Sequence, residues 1–299
     1  MLSTLTYRFP TDITELWHGI KKDAKHILLP FLVVFFIRVF CSIFSELQRM
    51  SGFQFIRSSL FQLVFSAGVS IDCGSFQAPE VGIAWFLVAL FIGRVLYAAV
   101  TIAFERKQVP FVCLLMTVIA VGNSIMAFSF DIAMAIQSFF YAGHWLQKYG
   151  YKEAGVRKKV VLVAGIIWLL TFYITFPNVN EQTYLELAVR RYGLFPLGFI
   201  CAIAGTLVVC ELSKCIDRIP ILSGITGFIG ANSLYLFVIH CLDGLEPVER
   251  LWNVGNNLYV IGVRRIGIDI ILMLLFWLIK VLWKKSIQSK MSDNEKRGE

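Results

Sequence analysis

Charge is what this sequence has least of. Only 16% of its 299 residues are Asp, Glu, Lys or Arg, against about a quarter in soluble domains, so an ordinary water-soluble fold is excluded. Its seven cysteines (Cys41, Cys73, Cys113, Cys201, Cys210, Cys215 and Cys241) show no CxxC or Cys/His spacing and sit mostly in or at the ends of apolar runs. That speaks against structural zinc and against a disulfide framework. The glycine-rich GITGFIG stretch lacks the Lys-Ser/Thr of a phosphate loop and follows no soluble strand, so it does not read as a nucleotide cradle. No cleavable leader is visible, because the first strongly apolar run begins near Ile27 and is long enough to stay in a membrane. Internal repeats and inverted transporter-like halves are also missing.

What fills the chain instead is apolar: 57% hydrophobic and 14% aromatic, with a mean hydropathy of +0.70. The expected fold is all-α, a polytopic transmembrane helix bundle of about eight spans with both termini cytoplasmic. The apolar runs lie at 27–44, 83–104, 109–128, 130–147, 160–176, 192–212, 234–242 and 258–283. The net charge of +8 comes from short basic clusters between those runs, the signature of cytoplasmic loops and not of a nucleic-acid groove, so no nucleic-acid partner is expected. The densest cluster is Lys148, Lys152, Arg157, Lys158 and Lys159, whereas Glu181, Glu186, Glu246 and Glu249 mark outer loops. Three regions follow: a polar N-terminal segment at 1–26, a transmembrane domain at 27–283, and a polar cytoplasmic tail at 284–299, expected to be disordered. The connection at 53–69 mixes Phe, Leu and Val with Arg57, Ser58, Ser59 and Gln62, which fits an interfacial or re-entrant segment.

The stretch around which the functional reading turns is 227–243, GFIGANSLYLFVIHCLD. Gly224, Gly227 and Gly230 suit a bent approach, and Asn232-Ser233 suits a capped helix start over 234–242. On a helical period Ser233, Phe237 and His240 share one face, with Leu236 one turn before His240. A histidine in hydrocarbon needs a polar partner or a wet cavity, so His240 is either a hydrogen-bonded packing residue or a working group. Arg38 and Arg94 lie inside spans, where insertion costs roughly 2.5–3.5 kcal/mol each. Each therefore lines a functional cavity or is neutralised, Asp131 being a candidate partner. Asp269 follows Arg265 by four residues, a spacing that suits an ion pair along one helix. His144 reads as interfacial, and His18 and His26 lie at or before the membrane entry.

Four pieces, in order, resemble the acyltransferase 3 family of integral-membrane O-acyltransferases: KKDAKHILLPFLV, AWFLVALFIGRVLY, FDIAMAIQSFFYAGHWLQKYG and GANSLYLFVIH. The resemblance covers the chain from about Lys21 to Leu242. It implies transfer of an acyl group, acetyl or another, from cytoplasmic acyl-CoA to a hydroxyl of a cell-surface polysaccharide or lipid-linked sugar at a bacterial inner membrane, without a metal. The family's Arg-x-x-Arg pair corresponds to Lys22-x-x-Lys25, which keeps the charge for a CoA phosphate but loses the bidentate fork; a positive-inside stop explains the pair equally well. The family's first span, with a basic residue eleven positions before a catalytic histidine, has no counterpart, since Arg8 and His18 are ten apart in a polar segment. The chain is thus expected to lack the family's first two spans.

Acyl transfer to an alcohol needs a base and stabilisation of developing charge. His240 is the expected base, with Arg38, Arg94, Lys22, Lys25, Asn232 and Ser233 binding substrate. The alternatives are a truncated, inactive member of that family and a non-catalytic carrier of glycan or lipid.

Overall fold

The structure is a computed structural model that describes residues 12–72, 77–122, 126–148, 158–175, 183–242, 245, 248–249 and 257–297. Arg8, Cys73, Lys152, Arg157, Glu181, Asp243 and Glu246, on which parts of the topology reading rest, lie outside the described residues. The chain divides into two compact units, Met1–Ser223 and Gly224–Glu299.

The first unit opens with α1 (Ile13–Asp23), capped by Asp12, whose carboxylate accepts from Glu15 N at 2.7 Å. A π-turn at Ala24–Leu28 carries it without interruption into α2 (Leu29–Leu47). The polar segment expected at 1–26 is helical from Ile13 and continuous with the first span, the whole rod running Ile13–Phe44 over 32 residues. At 1.5 Å per residue that rod is about 48 Å long, against a hydrocarbon core of about 30 Å, so it has length to carry its polar first turns beyond the core.

Helix α3 (Gly52–Phe65) begins with a capping box between Ser51 and Gln54. It ends at Ser66, in the left-handed region at φ 45°. The segment 53–69 is thus a regular helix for most of its length. A two-residue antiparallel pair, β1 (Ile71–Asp72) and β2 (Gln77–Ala78), follows it.

Helix α4 (Trp85–Ala103) falls on the second expected span, whereas α5 (Val109–Gly122), 14 residues long, covers only the first part of the third, expected over 109–128. The fourth breaks at Ile136, φ −80° and ψ 1°, into α6 (Phe130–Ala135) and α7 (Gln137–Lys148). Gly93 lets α4 approach that break, since a Cβ there would stand 2.9 Å from Ile136 Cδ1 and 3.0 Å from Phe140. Gln137 seals it by donating from Nε2 to Gly93 O at 3.1 Å and Ala133 O at 2.7 Å. Tyr97 stacks on Phe140 in the core beside them.

Helix α8 (Lys158–Thr175) and helix α9 (Leu197–Ile216) complete the first unit's long elements. The expected span at 192–212 begins five residues late because Gly193 takes φ +52° and Pro196 stands at the helix start.

Helix α10 (Pro220–Ala231) leads into the second unit, which then contains α11 (Ser233–Cys241) and α12 (Leu258–Arg297). The chain bends by 58° between α10 and α11. Helix α12 is 40 residues long, so the expected disordered tail at 284–299 is helical as far as Arg297.

The described chain is all-helical apart from the β1–β2 pair and one isolated bridge. Among the described residues three helical stretches, Ile13–Phe44, Gly82–Ala103 and Leu197–Ile216, are long and apolar enough to cross a membrane, and the bent α10–α11 pair makes a fourth if it counts as one span. Large apolar side chains on the outside of these rods, such as Phe40 and Phe44 at 72% and 77% exposure, fit a lipid-facing surface.

Candidate functional site

The three glycines before the bend do not form an irregular approach. Gly224, Gly227 and Gly230 all lie in α10, with nothing within 4 Å of where a Cβ would stand. The turn comes after them, at Asn232, φ −109° and ψ 12°, whose side chain makes no cap to α11. Its Nδ2 instead donates to Phe228 O at 2.9 Å. Asn232 therefore closes α10 rather than capping α11, which corrects the role expected of it; a side chain that folds back onto the preceding turn is the alternative use of Asn at a helix boundary.

From Ser233 the chain is helical, and its period sets the site. Ser233, Leu236, Phe237 and His240 stand on one wall of an open cavity of about 390 Å³, and Ile266 and Asp269 of α12 stand on another. Across it, His240 Nδ1 lies 3.0 Å from Asp269 Oδ2. Asp269 is buried while His240 is 38% exposed at its side chain, so the carboxylate is the fixed partner and the ring the accessible one. Two ring pairs hold the walls together, Phe228 on Trp277 and Tyr235 on Phe276, with centroids 5.5 Å and 5.1 Å apart. Lys280 Nζ donates to Tyr235 OH at 2.8 Å.

A carboxylate accepting from Nδ1–H fixes the imidazole tautomer and makes Nε2 the proton-accepting nitrogen. Apart from Ser233 the remainder of the wall is Ile, Leu and Phe, which suits an apolar chain. Proton transfer next to an apolar ligand is the chemistry this arrangement can perform.

The other expected site residues belong to the first unit. Arg94 is enclosed, its Nε 3.0 Å from Asp23 Oδ2. Arg38 packs its guanidinium on Gly82, where a Cβ would fall 2.9 Å from Nη1 and φ is +62°. Lys22 and Lys25 are exposed, one turn apart on the first rod. His144 is not simply interfacial: its Nδ1 lies 2.8 Å from the hydroxyl of the fully buried Tyr97.

Asp131 pairs with neither span arginine. Its partner is Arg190, through Nε to Oδ2 and Nη2 to Oδ1 at 3.3 Å, and Arg190 itself adopts the left-handed region at φ 58°. Ser66, Phe128 and Ser129 share that conformation, and Ser129 Oγ donates to Ser66 O at 2.7 Å. Such residues each store roughly 1–3 kcal/mol and persist only where their surroundings hold them. Burial pushes the neighbouring Tyr192 phenol up to about 12, with the charge of Asp131 adding to the rise and Arg190 opposing it.

Sequence reasoning missed Arg190 and Tyr192 as members of a buried cluster, and it gave Asp269 a partner on its own helix. The usable signal for Asp269 was scarcity: an acid and a histidine, each inside an apolar run, are obvious partners for each other. Among the described residues no group of three or more His, Cys, Asp or Glu is placed to hold a metal ion. Comparison with protein-family models, with curated proteins and with solved structures finds no match to this chain.

Proposed function

We propose that the chain is an integral-membrane O-acyltransferase, moving an acetyl or other acyl group from cytoplasmic acyl-CoA to a hydroxyl of a cell-surface polysaccharide or lipid-linked sugar in a bacterial inner membrane. The observation that carries this reading is the 3.0 Å His240–Asp269 pair at an apolar cavity. In this scheme His240 Nε2 takes the acceptor's hydroxyl proton as the oxygen attacks the thioester carbonyl. The C–S bond then breaks, and the imidazolium returns the proton to the departing CoA thiolate. Asp269 holds the ring and offsets its transient charge. Lys22 and Lys25 are proposed for the CoA phosphates, as point charges. Arg38 and Arg94 fit substrate binding less well than the sequence suggested, Arg94 being already paired with Asp23.

The topology proposed with it is eight crossings with both termini cytoplasmic. Helices α1–α2, α4, α5, α6–α7, α8, α9, α10–α11 and α12 fall on the eight apolar runs.

Purified full-length protein in lipid nanodiscs, given labelled acetyl-CoA and an envelope glycan, should transfer label. His240→Ala should lower the rate by about 10²–10⁴-fold, and Asp269→Asn by less. Unchanged transfer by a correctly inserted His240→Ala variant would reduce the histidine to packing. The second reading, a non-catalytic carrier, is favoured by the apolar lining of the same cavity. It predicts tight binding of a glycolipid with no transfer by the wild-type chain.

A further inference from the structure

Helix α3 turns an apolar edge outward. Phe53, Ile56 and Leu60 are 76%, 60% and 56% exposed, and their i, i+3, i+7 spacing puts them on one side of the rod. Beside that edge is an open cavity of about 410 Å³ whose lining includes Arg49, Gln54, Arg57, Ser58, Phe61 and, from β2, Gln77. Its polar groups are largely donors. Gln54 Oε1 is engaged by Ser51 N at 3.0 Å and Ser51 Oγ at 3.1 Å, so the amide NH₂ is the side-chain end left to face a ligand. The Arg57 guanidinium carbon sits 5.4 Å from the Phe61 ring centroid, which steadies the planar fork through its face and leaves its N–H edge for an anion. Arg49 lies 3.7 Å from Glu46, with 74% of its own side chain exposed. An exposed ion pair of that length is weak and exchanges readily for a better anion.

Two guanidinium groups and neutral donors in a cavity next to an exposed apolar edge match one kind of ligand, a phosphate with acyl chains attached. We propose that this is a binding site for the headgroup phosphate of an anionic membrane lipid, with Arg49 and Arg57 on the phosphate and Phe53, Ile56 and Leu60 among the acyl chains. It does not depend on the acyl-transfer reading.

The test is the apparent Kd for phosphatidylglycerol, relative to phosphatidylcholine, measured on the full-length protein by native mass spectrometry. Arg49→Gln with Arg57→Gln should weaken phosphatidylglycerol binding by about fivefold for each arginine removed and leave phosphatidylcholine unchanged. Lys158→Gln with Lys159→Gln makes the same change in net charge and should leave the preference intact. Arg49→Lys with Arg57→Lys keeps the charge without the fork and should fall between, which provides a readout if the glutamine variant does not fold. Equal loss in the Lys158/Lys159 control, or no loss in either arginine variant, overturns the site. Full displacement of the lipid by millimolar inorganic phosphate overturns it as well, because the cavity would then be a site for a free anion.

Discussion

Among the described residues, each buried acid of the first unit faces an arginine. The side chains of Asp23 and Arg94 are 7% and 16% exposed, and those of Asp131 and Arg190 are 2% and 11%. In the second unit the buried acid faces a histidine whose side chain is 38% exposed, at the edge of a cavity. Arginine does not give up its proton in a protein, so the first unit's pairs hold a fixed charge distribution and act as clasps. Imidazole can accept a proton as well as donate one, and its partner leaves the ring reachable, so the second unit's pair is open to a ligand. The same need, an acid inside an apolar chain, is met by an enclosed arginine in one place and by a reachable histidine in the other.

That contrast breaks most directly at Asp131. Asp131→Asn strands the Arg190 charge in a buried setting and should destabilise the first unit by about 3–5 kcal/mol, read as a drop in the unfolding midpoint in detergent. Asp269→Asn leaves the imidazole beside an amide that can still hydrogen-bond, so its stability cost should stay near 1 kcal/mol while transfer falls. Equal stability losses in the two variants would erase the distinction between lock and working pair.

Smaller effects sharpen it. Gly193→Ala forces a Cβ to within 2.2 Å of Thr183 O at a residue with φ +52°, beside Arg190, and should loosen the clasp by roughly 1–3 kcal/mol. Limited proteolysis of the loop at 183–196 would report it. In the second unit, Asn232→Ala removes the bond to Phe228 O and should cost about 1 kcal/mol, with a fall in transfer if the bend positions His240. Least of all, Ser51→Ala removes the capping box of α3 at about 1 kcal/mol or below and should leave both pairs untouched.

The helical stripe Ser233–Phe237–His240 was legible before any coordinates, because a 3.6-residue period is a local property and the cavity wall follows it. The same local reading failed where one residue could serve either of two helices. Asn232 has a capping residue's chemistry, yet its side chain closes the helix before it. The break at Ile136 was hidden because the apolar run at 130–147 continues across it, and only the approach of α4 at Gly93 makes room for it. The polar stretch before Ile27 was separated from the first span by composition, although an N-cap at Asp12 and a π-turn join the two into one rod.

What the sequence determined by itself was therefore the apolar rods, their approximate ends, and which ionisable residues lie inside them, since hydrocarbon penalises charge wherever it occurs in a span. The tertiary structure alone decided the partners. Asp131 meets Arg190 across 59 positions and His240 meets Asp269 across 29, and no local periodicity carries information over such separations. Which acid meets an arginine and which a histidine was settled by helix packing.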